Sequence, residues 1–213
     1  MNPDQQFWWN WWVNLLMAFA TFLAAMVALF GRQFWAWVFP PLLNMKLLEE
    51  YGEKTIAVRQ LDEHLSMDDD VRFFHLKVWN KRRLATAHQV QVFLMALEQP
   101  GPNENWQVIW TGNVPMRWRD QEVNPFAQTI GAPVDCDFCM VSKSQLVIRL
   151  MPLIAPNNLK VHWQGPCKFI ARLQARSTER DSDEIHVQVS WDGKWEDGDL
   201  EMGKHLRVEI KKS

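Results

Sequence analysis

Scarcity is informative at several points in this 213-residue chain. Three cysteines, an odd number, are too few for a disulfide-stapled secreted scaffold and fit a reduced compartment more easily. No charged residue occurs from Leu15 to Phe30, and no Lys or Arg precedes that run, so the basic lead of a cleaved signal peptide is missing. A basic excess is also missing. With 23 Lys and Arg against 25 Asp and Glu, nothing points to a nucleic-acid polymer as partner. The chain contains no G-x-x-x-x-G-K-[ST], no G-x-S-x-G and no H-E-x-x-H, and no alternation of strand and helix that would build a parallel nucleotide-binding sheet. These absences supply no catalytic residue, and the expectation is a protein that is not an enzyme and carries no cofactor.

What is present is lopsided. Six of thirteen tryptophans fall before residue 38. Trp8, Trp9, Trp11 and Trp12 precede the uncharged run, and Trp35 and Trp37 come after it. As a helix, Trp12 to Trp35 spans roughly 34 Å, close to a bilayer's hydrocarbon thickness. Indole rings prefer the two interfaces, where an apolar face meets lipid and one N–H meets water. The pattern predicts a single transmembrane helix over residues 1–41, ended by Pro40-Pro41 because proline fixes φ and removes a donor. Arg32, Lys46 and Lys54 lie after the span, whereas only Asp4 and the α-amine precede it. That bias places the soluble domain in the cytoplasm, on a single-pass protein of the cell inner membrane.

The helix is sorted by side-chain size. Asn14, Ala18, Thr21, Ala25, Ala28 and Arg32 fall on one stripe at spacings of 4, 3, 4, 3 and 4, the repeat of a left-handed helix seam. Small residues permit close backbone approach in lipid, where no hydrophobic drive operates between helices. The expected partners are therefore membrane lipid and further helices, from a homo-oligomer or another membrane subunit.

From residue 42 the texture changes to short alternating segments with turn punctuation. Residues 42–70 read as a juxtamembrane segment with a first strand, strand-like at Thr55 to Arg59, and Asp68 to Asp70 read as a solvated turn. Residues 71–213 read as a sandwich. Phe73–Trp79, Gln89–Leu97, Trp106–Thr111, Gln145–Leu150, Leu159–Trp163, Phe169–Ala175, Ile185–Trp191 and Leu206–Ile210 alternate as strands. Asp192-Gly193 predicts a tight turn with its return strand opening at Lys194-Trp195. Eight or nine such strands predict a mainly β fold, an antiparallel sandwich behind one helix.

Leu76-Lys-Val-Trp-Asn80, then Ala85-Thr-Ala-His-Gln-Val90-Gln-Val92, resembles the N-x-G-x-x-x-A-x-x-V-x-V pattern of bacterial immunoglobulin-like domains of the CARDB type. The likeness covers 17 residues, with Lys81 in place of the usual glycine. It implies an immunoglobulin-like β-sandwich and carries no catalytic residue across. The layout is similar to that of bacterial single-pass membrane proteins with such a domain.

Three groups invite chemistry. Cys136 and Cys139, with Cys167 and His162 elsewhere, have the spacing of a metal knuckle, but zinc needs four ligands. Strand side chains three apart point to opposite faces, so the reading is small core hydrophobes and no metal. Lys81, Arg82, Arg83, Arg117 and Arg119, with Lys77, form a candidate anion patch if the turn at 81–83 meets the 117–119 segment. The soluble tryptophans, Trp79, Trp106, Trp110, Trp118, Trp163, Trp191 and Trp195, read as core rather than as a ligand platform. The whole predicts a membrane-anchored interaction and assembly module that oligomerises through its helix. The alternative is a signal-gated effector whose sandwich senses a small anion and whose helices perturb the bilayer.

Overall fold

The computed structural model describes residues 3–62, 65–82, 85–103, 105–119 and 127–211, with side chains left aside at 3–5, 32–38, 58–62 and 65–67. Two compact units divide at Pro40/Pro41. The first is helix α1, Pro3–Val38. Its stretch from Gln6 to Gly31 is long and apolar enough to cross a membrane, and residues 6–30 are all exposed. Two consecutive prolines come next, and the helix stops two residues before them.

The second unit is mainly β. Its strands are β1 (Leu43–Leu47), β2 (Glu53–Asp62), β3 (Leu65–Asn80), β4 (Ala87–Pro100), β5 (Trp106–Pro115), β6 (Gln128–Ile130), β7 (Val134–Ser142), β8 (Val147–Leu150), β9 (His162–Gln164), β10 (Cys167–Arg176), β11 (Ile185–Trp191) and β12 (Leu206–Lys211). One short helix, α2 (Asp199–His205), precedes β12. All pairings are antiparallel. The first sheet runs β1-β3-β7-β8-β9 and the second β12-β11-β10-β4-β5. In each, the longest strand carries two shorter ones end to end along one edge. Residues 76–80 of β3 pair with β1 and residues 65–73 with β2. Likewise β4 pairs with β6 at Ala87 and Val90, and with β5 from Phe93 onward. Both sheets feed one core: Phe74, Leu76, Val78, Phe138, Val141 and Ile148 from the first, Val90, Val92, Leu94, Leu97, Phe169 and Val189 from the second. Burying each such side chain contributes roughly 1.5–3 kcal/mol.

Four expectations change. Asp68 to Asp70 are not a turn but lie inside β3, opposite Val58, Ala57 and Ile56. Partners from β7 and the turn after it make that tolerable: Asp69 accepts from Ser142 Oγ (2.5 Å) and the Ser144 N–H (2.9 Å), and Asp70 pairs with Lys143 (3.2 Å). The strand count rises to twelve among the described residues, because β1, β6 and β7 join those read from alternation and Thr55–Arg59 falls in β2. The segment 42–70 accordingly supplies β1, β2 and the first six residues of β3. Asp192-Gly193 does turn, with Gly193 at φ +89°, but the chain passes through α2 before it pairs again at Leu206. A backbone hydrogen bond from Met202 to Gly198 starts that helix, and the Leu206 N–H closes it on the Met202 carbonyl.

The fourth concerns Cys136 and Cys139. β7 opposes Leu76 with Cys136 and His75 with Asp137, then Phe74 with Cys139, leaving Phe138 unopposed. This bulge inserts one residue and shifts the facing of every position beyond it. Both cysteines therefore lie in the core, fully buried, rather than on opposite faces.

Candidate functional site

On α1 the seam residues Asn14, Ala18, Thr21, Ala25 and Ala28 are exposed, as are Trp8, Trp9, Trp11 and Trp12. The Thr21 hydroxyl donates to the Met17 carbonyl at 2.8 Å, one turn back. Its oxygen keeps acceptor capacity for a neighbouring helix. The first tryptophan belt is internally braced: Trp8 and Trp11 meet edge to face at 6.1 Å, and Trp11 and Trp12 at 5.0 Å. Arg32, Trp35 and Trp37 lie on the helix backbone, with side chains outside the described ones.

In the β unit, polar chemistry concentrates on the outer face of the first sheet. Leu76, Val78, Cys136 and Trp118 face the core, so their alternates Lys77, Trp79, Asp135, Arg117 and Arg119 face away. After Met116, whose N–H still donates to the Val92 carbonyl of β4, the chain runs beside β7. The Arg119 N–H donates to the Asp135 carbonyl (3.0 Å), and the Asp137 N–H to the Arg117 carbonyl (2.8 Å). Arg117-Trp118-Arg119 is thereby an added edge with both arginines outward, and Trp118 fills the core. Lys77, cross-strand from Asp135, shares the face. Lys81 and Arg82 sit past Asn80, at the end of β3, exposed. Arg83 lies outside the described residues.

A second constellation on this face is invisible to local sequence pattern. His75 is buried, with Nδ1 2.9 Å from Asp137 Oδ1 and Nε2 3.5 Å from Glu53 Oε2. Arg119 grips Glu53 with both guanidinium nitrogens, at 2.7 and 2.8 Å. That hydrogen bonding, with the guanidinium charge, holds the Glu53 carboxyl below its usual range. The signal lies in β3, where Phe73, His75, Lys77 and Trp79 occupy every second position, but the partners of His75 come from 22 and 62 residues away. Farther along, Arg72, a fully buried guanidinium, binds Asp199 (2.6 Å) and the Asp197 and Tyr51 carbonyls, with Trp195 across its face at 5.6 Å. Asp197 is held well below the ordinary carboxylate range, first by the Trp195 indole N–H and then by Lys143 and Lys54. This knot ties β2, β3 and the turn after β7 to the approach to α2.

No family model, no curated protein and no solved structure matches the chain. The site's chemistry is accordingly read from its atoms.

Burial works against thiolate character in all three cysteines. Burial pushes Cys136 and Cys139 far up and Cys167 to about 11, so none offers a thiolate near neutrality. Among the described residues no group of three or more His, Cys, Asp or Glu is placed to hold a metal ion. Four of the soluble tryptophans, Trp110, Trp118, Trp163 and Trp191, are core, and Trp79, Trp106 and Trp195 are part-exposed. A polar cleft opens on the second sheet where β5 gives way to β6 along β4. Gln89, Gln91, Phe93, Thr129, Arg176 and Thr178 line it. Gln91 spans the gap, donating to the Met116 carbonyl at 2.7 Å and accepting from the Trp118 indole at 3.3 Å. Its amide replaces the ladder bonds lost at the split.

Proposed function

We propose that the chain is a membrane-anchored, non-enzymatic interaction module, held by α1 in the cell inner membrane with its β unit in the cytoplasm. The observation that carries this reading is the surface of α1: Leu16, Phe19, Phe22, Val27 and Leu29 are all more than half exposed, and no described residue covers them. Water does not tolerate such a surface, and a bilayer does. The stripe from Asn14 to Arg32 then serves as the face by which copies, or another membrane subunit, pack. The β unit supports the idea of an immunoglobulin-like, CARDB-type module, since it pairs two antiparallel sheets over one core and builds its polar residues into mutual ion pairs.

The test is a pair of substitutions read by oligomeric state in detergent. Ala25→Leu weakens association, whereas Leu23→Ala, on the opposite side, leaves it intact; equal behaviour of the two counts against the seam. The gated-effector reading draws on Lys77, Arg117 and Arg119 sharing one face of the first sheet. Liposome leakage that responds to a small anion would favour it over a passive tether.

A further inference from the structure

We infer that the outer face of β1 and β3, at the end where the chain leaves α1, docks on anionic lipid headgroups of the same membrane. The inference rests on the proposed anchor. Val38 is the last helical residue, and Leu42 comes four residues later, a leash of at most about 14 Å. Leu42 is fixed at both backbone groups. Its N–H donates to Asn80 Oδ1 (2.8 Å), and its carbonyl accepts from the Lys81 N–H (2.9 Å). The β3–β4 turn is therefore held at the root of the leash.

What that root presents is basic and aromatic. Leu43, Met45, Leu76 and Val78 face the core, which turns Asn44, Lys46, Lys77 and Trp79 outward. Lys46 and Lys77 are directly paired across the ladder, and Lys46 Nζ sits 6.0 Å from the Trp79 ring centre. Lys81 and Arg82 lie at the strand end, exposed. Farther along β2 and β3, Lys54 and Arg72 are each held by a carboxylate. The ε-amines of Lys46, Lys77 and Lys81 make no ion pair among the described residues. Two like charges set opposite each other repel, and a fold that keeps them there gains from an external anion. A surface of phosphate headgroups supplies many, and a part-exposed indole suits the same layer. Among the described residues, Asp135, opposite Lys77, is the carboxylate paired into this end of the face.

The experiment is lysine acetylation of the full-length chain in nanodiscs, read residue by residue by mass spectrometry. Discs of phosphatidylcholine alone are compared with discs holding about 30% phosphatidylglycerol. Acetylation of Lys46, Lys77 and Lys81 slows roughly fivefold in the anionic discs, and about 0.5 M salt removes the difference. Lys160 and Lys204, on other parts of the unit, keep one rate throughout. Lys77→Gln reduces the protection of Lys46 without changing the reference lysines, which report an intact fold. Equal rates in the two discs overturn the docking surface and leave the anchor standing. Protection by inorganic phosphate in neutral discs overturns it in favour of a soluble-anion site. Failure to enter either disc removes the anchor reading and this one together.

Discussion

The helix and the β unit solve opposite problems with similar side chains. In α1, Leu29 and Phe7 are 75% and 66% exposed, and no side chain from Gln6 to Phe30 is buried. In the β unit, Phe138, Phe169 and Leu97 are wholly enclosed, and three of the polar side chains that enter the interior bring partners with them. Asp69 has Ser142, His75 has Asp137, and Arg72 has Asp199. One region makes its environment, and the other requires one to be provided. Apolar content already separates them: no charge interrupts Leu15–Phe30, whereas polar and apolar residues alternate along the strands.

Removing residues 1–40 tests that contrast most sharply. The remaining 41–213 fragment stays soluble without detergent and keeps the strand signature of the full chain in circular dichroism, whereas the full chain partitions to detergent or membrane. A full-length chain that runs as a monomer in plain buffer breaks the comparison outright. Next in size is a matched pair of aromatic truncations. Phe138→Ala costs the β unit about 3–5 kcal/mol in denaturant unfolding. Phe22→Ala, exposed on α1, leaves that transition where it was. A smaller effect belongs to the buried carboxylate. Asp69→Ala strands Ser142 and the Ser144 N–H and costs about 1–3 kcal/mol, read from the same curves.

The smallest effect is the pH slope. Glu53, Glu179, Asp192 and Asp197 all have folded values below their ordinary ones. At Glu53 the Arg119 hydrogen bonds are the first cause. At Glu179 burial pushes upward, and the His88 backbone and side-chain bonds outweigh it. A lowered carboxyl binds its proton more readily in the unfolded chain. Its stabilisation is thus complete above about pH 5 and is lost as pH falls through the folded value. The melting temperature of the β unit is accordingly flat near neutrality and declines in acid. Arg119→Gln makes that decline shallower, because Glu53 then titrates alike in both states.

Much of the β unit is legible in residue alternation, and the exceptions share a cause. Ile185–Trp191 matches β11 end to end because Val187, Val189 and Trp191 alternate with His186, Gln188 and Ser190 without interruption. β7 is hidden by its bulge, which sets Cys136, Asp137, Phe138 and Cys139 in an unbroken buried run with no period of two. The first half of β3 is hidden by three carboxylates, two of which, Asp69 and Asp70, find their partners 73 residues away. Local pattern reports local structure. The same limit applies to the polar face: Arg117 and Arg119 are visible as a basic segment, but its alignment beside Asp135 and Asp137 is a tertiary fact.

Asn80 makes one further point. Its side-chain oxygen accepts from Leu42 and Arg82, and its amide donates to the Ala85 carbonyl, so one residue fastens the start of β1 to the turn after β3. Any tug arriving through α1 reaches the β unit at that clasp, and it loads the first rung of the β1–β3 ladder rather than all rungs at once. Peeling therefore begins at Leu43 and Asn80, where the Asn80 side chain and the Lys81 N–H on the Leu42 carbonyl are the first holds to give.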